Sequence, residues 1–102
     1  MSGAVVELLG EGRVAVRGPL RYATVPGLWQ AARKLATEAP LVTVDLSGVT
    51  ESDSAALALL LEWMREVRGR GGEIRFTGMP NQLEAIARMS GLEGLLPLGA
   101  AT

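Results

Sequence analysis

Apolar positions near the start of the chain fall in two short runs, residues 4–9 (AVVELL) and 13–17 (RVAVR), separated by Gly10-Glu11-Gly12. Two glycines in a three-residue linker supply the positive φ that a tight connection needs, so the runs are predicted to pair as an antiparallel hairpin. In the second run Val14 and Val16 fall on one face and Arg13, Ala15 and Arg17 on the other, the alternation of a half-exposed strand. Gly18-Pro19 is expected to break that strand.

From about Thr24 the period changes from two to three and four. Val25, Leu28, Trp29, Ala32, Leu35, Ala36 and Ala39 share one arc of a helix that ends before Pro40, while Gln30, Arg33, Lys34 and Glu38 take the wet side. Pro26 is tolerated there because first-turn amides have no helical acceptor. Residues 41–46 (LVTVDL) then read as a mostly buried central strand, followed by a loop, SGVTESD.

The second helix runs from Ser54 to about Gly69, with Leu57, Leu60, Leu61, Met64 and Val67 as its stripe. Ala56, Leu59 and Trp63 widen the arc, which fits either a wholly buried helix or one that leaves Leu59 and Trp63 as an uncovered patch. Gly69-Arg70-Gly71-Gly72 closes the helix, and residues 73–77 (EIRFT) alternate as a further strand. A last helix follows Pro80, with Leu83, Ile86 and Ala87 inward and Gly91 just past its end; the tail LEGLLPL adds one short extended piece.

The order is β-β-α-β-α-β-α, which places the chain in the α/β class with a mixed sheet of about four to five strands and flanking helices. Each βαβ segment should be a right-handed crossover between parallel strands, leaving only the first hairpin antiparallel. With 102 residues, one domain spanning 1–102 is expected. The crossovers also bring the helix starts after strands 13–17 and 41–46 to one edge of the sheet, near Trp29 and Ser54.

Composition narrows the chemistry. The chain has no cysteine and no histidine, so a Ser-His-Asp triad, a thiolate nucleophile, a disulfide framework and an ordinary zinc site are all ruled out. Few aromatics are present, and the core must be built from 16 Leu, 14 Ala and 9 Val. Ten basic residues against eleven acidic ones give a formal charge of −1, without a global field that would attract nucleic acid or an anionic membrane, although a local basic patch stays open. No apolar run has transmembrane length and the first residues lack a signal-peptide pattern, so a cytoplasmic protein without direct membrane insertion is expected.

The most informative segment is DLSGVTESDSAALALLL. Asp45, Ser47, Thr50, Glu51, Ser52, Asp53 and Ser54 crowd immediately ahead of an apolar helix. N-capping explains one or two of them, because Ser and Asp side chains accept hydrogen bonds from first-turn amides, and a solvated loop accounts for others. A phosphoryl group on Ser54 would meet the positive end of the helix dipole but also the charges of Asp53 and Glu51, the ingredients of a switch. Hydrolysis by Ser54 with Asp53 has no base to drive it. The Gly69–Gly72 segment ends a helix instead of starting one and is a turn, not a phosphate cradle; Lys34, the one lysine, lies on a polar face.

Asp45-Leu46-Ser47-Gly48-Val49 followed by Asp53-Ser54-Ala55-Ala56-Leu57 resembles the signature of STAS domains, and the element order matches over nearly the whole chain. In that family the serine or threonine after the aspartate is the regulatory position, which corresponds to Ser54. Gly27-Leu28-Trp29, the leucine-rich run 57–61 and Gln82-Leu83-Glu84-Ala85-Ile86-Ala87 resemble most the MlaB-type branch, accessory subunits of ABC transporters that maintain outer-membrane lipid asymmetry. Anti-sigma factor antagonists of the family carry Gly where this chain has Ala56. The resemblance implies a non-enzymatic protein without metal or cofactor that binds a cytosolic, MlaF-like ATPase subunit and, through it, the permease, at the periphery of the inner membrane. Trp29, Ser52, Asp53, Ser54 and Leu57 would form the contact, and Ser54 is the candidate for phosphorylation.

Overall fold

The computed structural model describes residues 3–28, 30, 39–92, 94 and 96. Strands β1 (Val5–Gly10), β2 (Arg13–Leu20), β3 (Leu41–Ser52) and β4 (Glu73–Thr77) form one sheet in the order β1-β2-β3-β4. β1 and β2 pair antiparallel; β2, β3 and β4 run parallel. Helix α1 (Val25–Leu28) follows β2, α2 (Ser54–Gly69) follows β3, and α3 (Asn81–Met89) follows β4. The remainder of the expected first helix, Trp29 included, and most of the tail lie outside the described residues.

Alternation decides which side of the sheet is covered. Val14, Val16, Val42, Val44, Leu46, Ile74 and Phe76 are all buried and join one core with residues of the helices. Arg13, Ala15, Arg17, Thr43, Asp45, Arg75 and Thr77 occupy the other face of the same strands, and each is exposed or half-buried. Among the described residues every helix therefore lies on one side.

Two boundaries differ from the sequence expectation for one reason. β2 does not stop at Gly18-Pro19, and Ser47–Ser52 is not a loop: the two segments pair with each other, Gly18 opposite Val49, Pro19 opposite Glu51 and Leu20 opposite Ser52. Irregularities between Ala15 and Arg17 and between Gly18 and Pro19 absorb the proline, which a regular ladder would not accommodate. Polar composition read as a loop because this part of β3 extends past β4, whose last pairing is Thr77 with Asp45, and so is shielded on one edge only. Gly18 sits at φ 93°, and a β-carbon there would collide with the Gly3 carbonyl oxygen. Gly18→Ala is expected to cost about 1–2 kcal/mol, measurable by urea denaturation.

The helix ends agree with the reading from sequence. After α2, Gly71 at φ 89° donates to the Arg68 carbonyl (3.0 Å) and Gly72 to the Val67 carbonyl (3.0 Å). After α3, Gly91 at φ 73° donates to Arg88 (3.1 Å) and Leu92 to Ala87 (2.8 Å). Both are the paired bonds that close a helix through a left-handed residue. The breadth of α2's apolar arc resolves toward the core: Leu59 and Trp63 are both fully buried, so no patch exists there.

Candidate functional site

Parallel pairing of β2 with β3 brings the starts of α1 and α2 together at one edge of the sheet, and Asp53 ties them. Its backbone N–H extends the ladder by donating to the Leu20 carbonyl (3.1 Å). One carboxylate oxygen accepts from the Ala55 amide (2.8 Å), capping α2, while the other accepts from the Tyr22 amide (2.9 Å) at the entrance to α1. A single side chain thus fixes two junctions 31 residues apart in sequence.

Neighbouring groups reinforce the corner. Thr24 accepts from the Arg21 amide (2.9 Å) and donates to the Pro19 carbonyl (2.7 Å) through the same hydroxyl. Arg21 and Glu51, the residues beyond and within the paired extension, form an ion pair at 3.0 Å. The Gln82 side chain accepts from the Ser52 amide (2.8 Å), attaching α3 as well. The exposed ion pair contributes little by itself, at most about 1 kcal/mol; the backbone-directed bonds define the geometry.

An open groove of about 680 Å³ lies across this corner, lined by Tyr22, Val25, Pro26, Ser54, Ala55 and Ala58. Apart from the Tyr22 and Ser54 hydroxyls its side chains are apolar. Ser54 is exposed, and Tyr22 retains 84% of its accessible surface. A large aromatic left that open on a rim beside small residues suits insertion of a partner side chain, since aromatic groups supply contact area at small entropic cost.

The residues expected at the contact take three different positions. Ser54 is exposed at the first position of α2 and Asp53 is half-buried beside it. Ser52 and Leu57 are buried, with 4% and 5% of their surface accessible, so they support the corner from beneath and offer a partner almost no area. Trp29 lies outside the described residues. Among the described residues, the Ser52 hydroxyl oxygen is additionally buried without a hydrogen-bond partner. Ala56, at the position where anti-sigma factor antagonists carry Gly, is fully buried in ordinary helix.

Tyr22, Pro26 and Ala58 were not singled out from sequence. Ala58 was findable, being four residues after Ser54 and therefore on the same helix face. Tyr22 was not, because its place depends on the Asp53 bond. Among the described residues no cluster of acidic, cysteine or histidine side chains is arranged to hold a metal, and no helix is long and apolar enough to cross a membrane.

Comparisons with known proteins agree with this architecture. The search of curated proteins gives no match. Among solved structures, the chain is similar to the anti-sigma factor antagonist SpoIIAA in its unphosphorylated form, with TM-score 0.72 and 17% identity over 95% of this chain and 88% of that one. A STAS domain protein from Planctomyces limnophilus matches with TM-score 0.74 and 16% identity, covering 97% and 91%. An antisigma-factor antagonist STAS domain from Rhodobacter sphaeroides matches with TM-score 0.60 and 27% identity, covering 78% and 89%. At such identities these likenesses speak for the fold. The family model described as MlaB, STAS domain, covers residues 4–97, and with the four-stranded mixed sheet and its Asp53–Ser54 junction in view, the chain belongs to the STAS family in its MlaB-like branch.

Proposed function

We propose that this protein is a non-catalytic accessory subunit that binds the ATPase of a phospholipid-trafficking ABC transporter through the groove between α1 and α2. The observation that carries the proposal is the groove itself: an apolar hollow with an exposed serine and an exposed tyrosine, held by backbone-directed bonds from Asp53. Family membership points the same way, because the chain matches the MlaB, STAS domain family model over residues 4–97. On this reading the protein works in the cytoplasm at the inner membrane, reaching the permease only through the ATPase, and contributes to outer-membrane lipid asymmetry. The absence of histidine and cysteine supports a binding role, since Ser54 has no base to make it a nucleophile.

Copurification with candidate ABC-transporter ATPases tests the proposal. Ser54→Arg places a long cation in the groove and is expected to weaken the complex at least tenfold, about 1.4 kcal/mol, while shifting the melting temperature by only a few degrees, because Ser54 is exposed. Trp29→Ala should weaken it as well. Undiminished binding by both variants would remove the groove from the interface.

A second reading is favoured by one feature: the exposed Ser54 hydroxyl stands at a helix N-terminus next to Asp53 and Glu51. Phosphorylation there would set a doubly charged group against Asp53, whose carboxylate already occupies the Ala55 amide, and would loosen the corner. That is the behaviour of a serine-regulated anti-sigma factor antagonist. Mass spectrometry of the protein from its own cells decides between the readings, an unmodified Ser54 under all growth conditions speaking against the switch.

A further inference from the structure

The face of the sheet that carries none of the described helices has a second concavity, remote from the groove. Arg13, Thr43 and Arg75 stand directly opposite one another on β2, β3 and β4. Adjacent strands are about 4.8 Å apart, which sets the two arginine backbones about 10 Å from each other with a hydroxyl midway. Arg75 reaches across β3, its Nε donating to the Thr43 hydroxyl at 3.4 Å. The hollow over this row measures about 270 Å³ and is bounded further by Leu9, Asp45 and Thr77.

The charge pattern here departs from the rest of the surface. Arg17, Arg21, Arg65, Arg68 and Arg88 each have a carboxylate partner. Arg70 donates instead to the Ala39 carbonyl at 2.7 Å, and among the described residues Arg13 and Arg75 have no carboxylate partner. Glu7 and Glu73 share their face of the sheet, but Glu7 pairs with Arg17 and Glu73 with Arg68. Like charges flanking one strand repel unless an anion lies between them. Asp45 borders the hollow but forms no ion pair with either arginine among the described residues; its Oδ1 accepts from the Ser47 amide at 2.9 Å.

We propose that Arg13, Thr43 and Arg75 form a binding site for a tetrahedral oxyanion of the phosphate class, with both guanidinium groups donating to it and the threonine hydroxyl between them. Guanidinium groups present planar donor pairs that match phosphate oxygens. Leu9 walls one side, and Asp45 limits the negative charge the site accepts. The phosphate is either free or the headgroup of an anionic lipid. The site lies on the face of the sheet opposite the helices and does not depend on the groove's function.

Titration of the full-length protein with inorganic phosphate at constant ionic strength, followed by amide NMR, tests the site. Saturable shifts at Arg13, Thr43 and Arg75 are expected, with a dissociation constant on the order of 1 mM for so small and exposed a ligand. Arg13→Gln and Arg75→Gln should each weaken binding roughly tenfold, and Asp45→Asn should strengthen it severalfold, a sign that a merely structural role for Asp45 would not produce. Ser54→Arg should leave the titration unchanged. Sedimentation with phosphatidylglycerol vesicles, set against phosphatidylcholine vesicles, identifies the source: arginine-dependent capture by the anionic vesicles assigns the site to a lipid headgroup, and phosphate binding without capture assigns it to free phosphate. Shifts that never saturate, or that persist in the Arg13→Gln/Arg75→Gln variant, together with vesicle binding indifferent to both arginines, would overturn the proposal.

Discussion

Trp63→Ala is expected to destabilise the protein by about 3–5 kcal/mol, enough to lower the melting temperature by roughly 15 °C or more in a chain of this size. Trp63 is the largest fully buried side chain among the described residues and packs in the core shared by α2 and the sheet. Its removal leaves a cavity in that core. The indole also carries a liability: Nε1 is buried with no hydrogen-bond partner among the described residues, and an orphaned donor costs about 1–3 kcal/mol. Trp63→Phe removes that donor together with part of the ring. The two effects oppose each other, so a net loss of only about 1 kcal/mol is expected. Urea unfolding of both variants checks the pair; equal losses would mean that the indole nitrogen is satisfied in solution.

Asp53→Ala is the second large effect and joins stability to the candidate site. It removes the α2 cap, typically about 1 kcal/mol and up to about 2, and the charge-assisted bond to the Tyr22 amide, for a total of about 2–3 kcal/mol. Asp53→Ser separates the contributions. A serine hydroxyl can cap Ala55 but cannot also hold Tyr22, so it should recover about half of the lost stability. Groove-dependent binding should recover less, because the position of Tyr22 depends on the bond that serine does not restore. Thermal unfolding together with ATPase copurification of the two variants reads both quantities. Full recovery of binding in Asp53→Ser would mean that the tyrosine position is set by something else.

How much was readable in advance varied with the physics of each element. The hairpin, the α2 stripe and Gly91 were legible because they rest on local rules: alternation, the 3.6-residue period and the need for a residue at positive φ after a helix. The Ser47–Ser52 extension was not, since its residues are polar and its strand character comes from pairing with Gly18–Leu20, a contact no local window contains. Leu59 and Trp63 were ambiguous for a related reason. A broad apolar arc is compatible with one covered face or two, and the answer lies in what packs against the helix.

The candidate site divides along the same line. Ser54 at a helix start and a capping residue in the polar run ahead of it follow from the residue types in their order, and the parallel crossovers already predict that two helix starts share an edge; that the cap is Asp53 is a finding of the structure. The sequence by itself determined the α/β order, the exclusion of His- or Cys-dependent catalysis, and the position of the loaded junction. Only the tertiary structure decided that one Asp53 carboxylate serves both junctions, that Ser52 and Leu57 lie beneath the surface, that Tyr22 and Ala58 line the groove, and that Arg13 and Arg75 face each other across Thr43. Helix periods and caps are set by residues within a few positions of one another, whereas each of these four arrangements depends on the register between strands or on packing between elements distant in sequence.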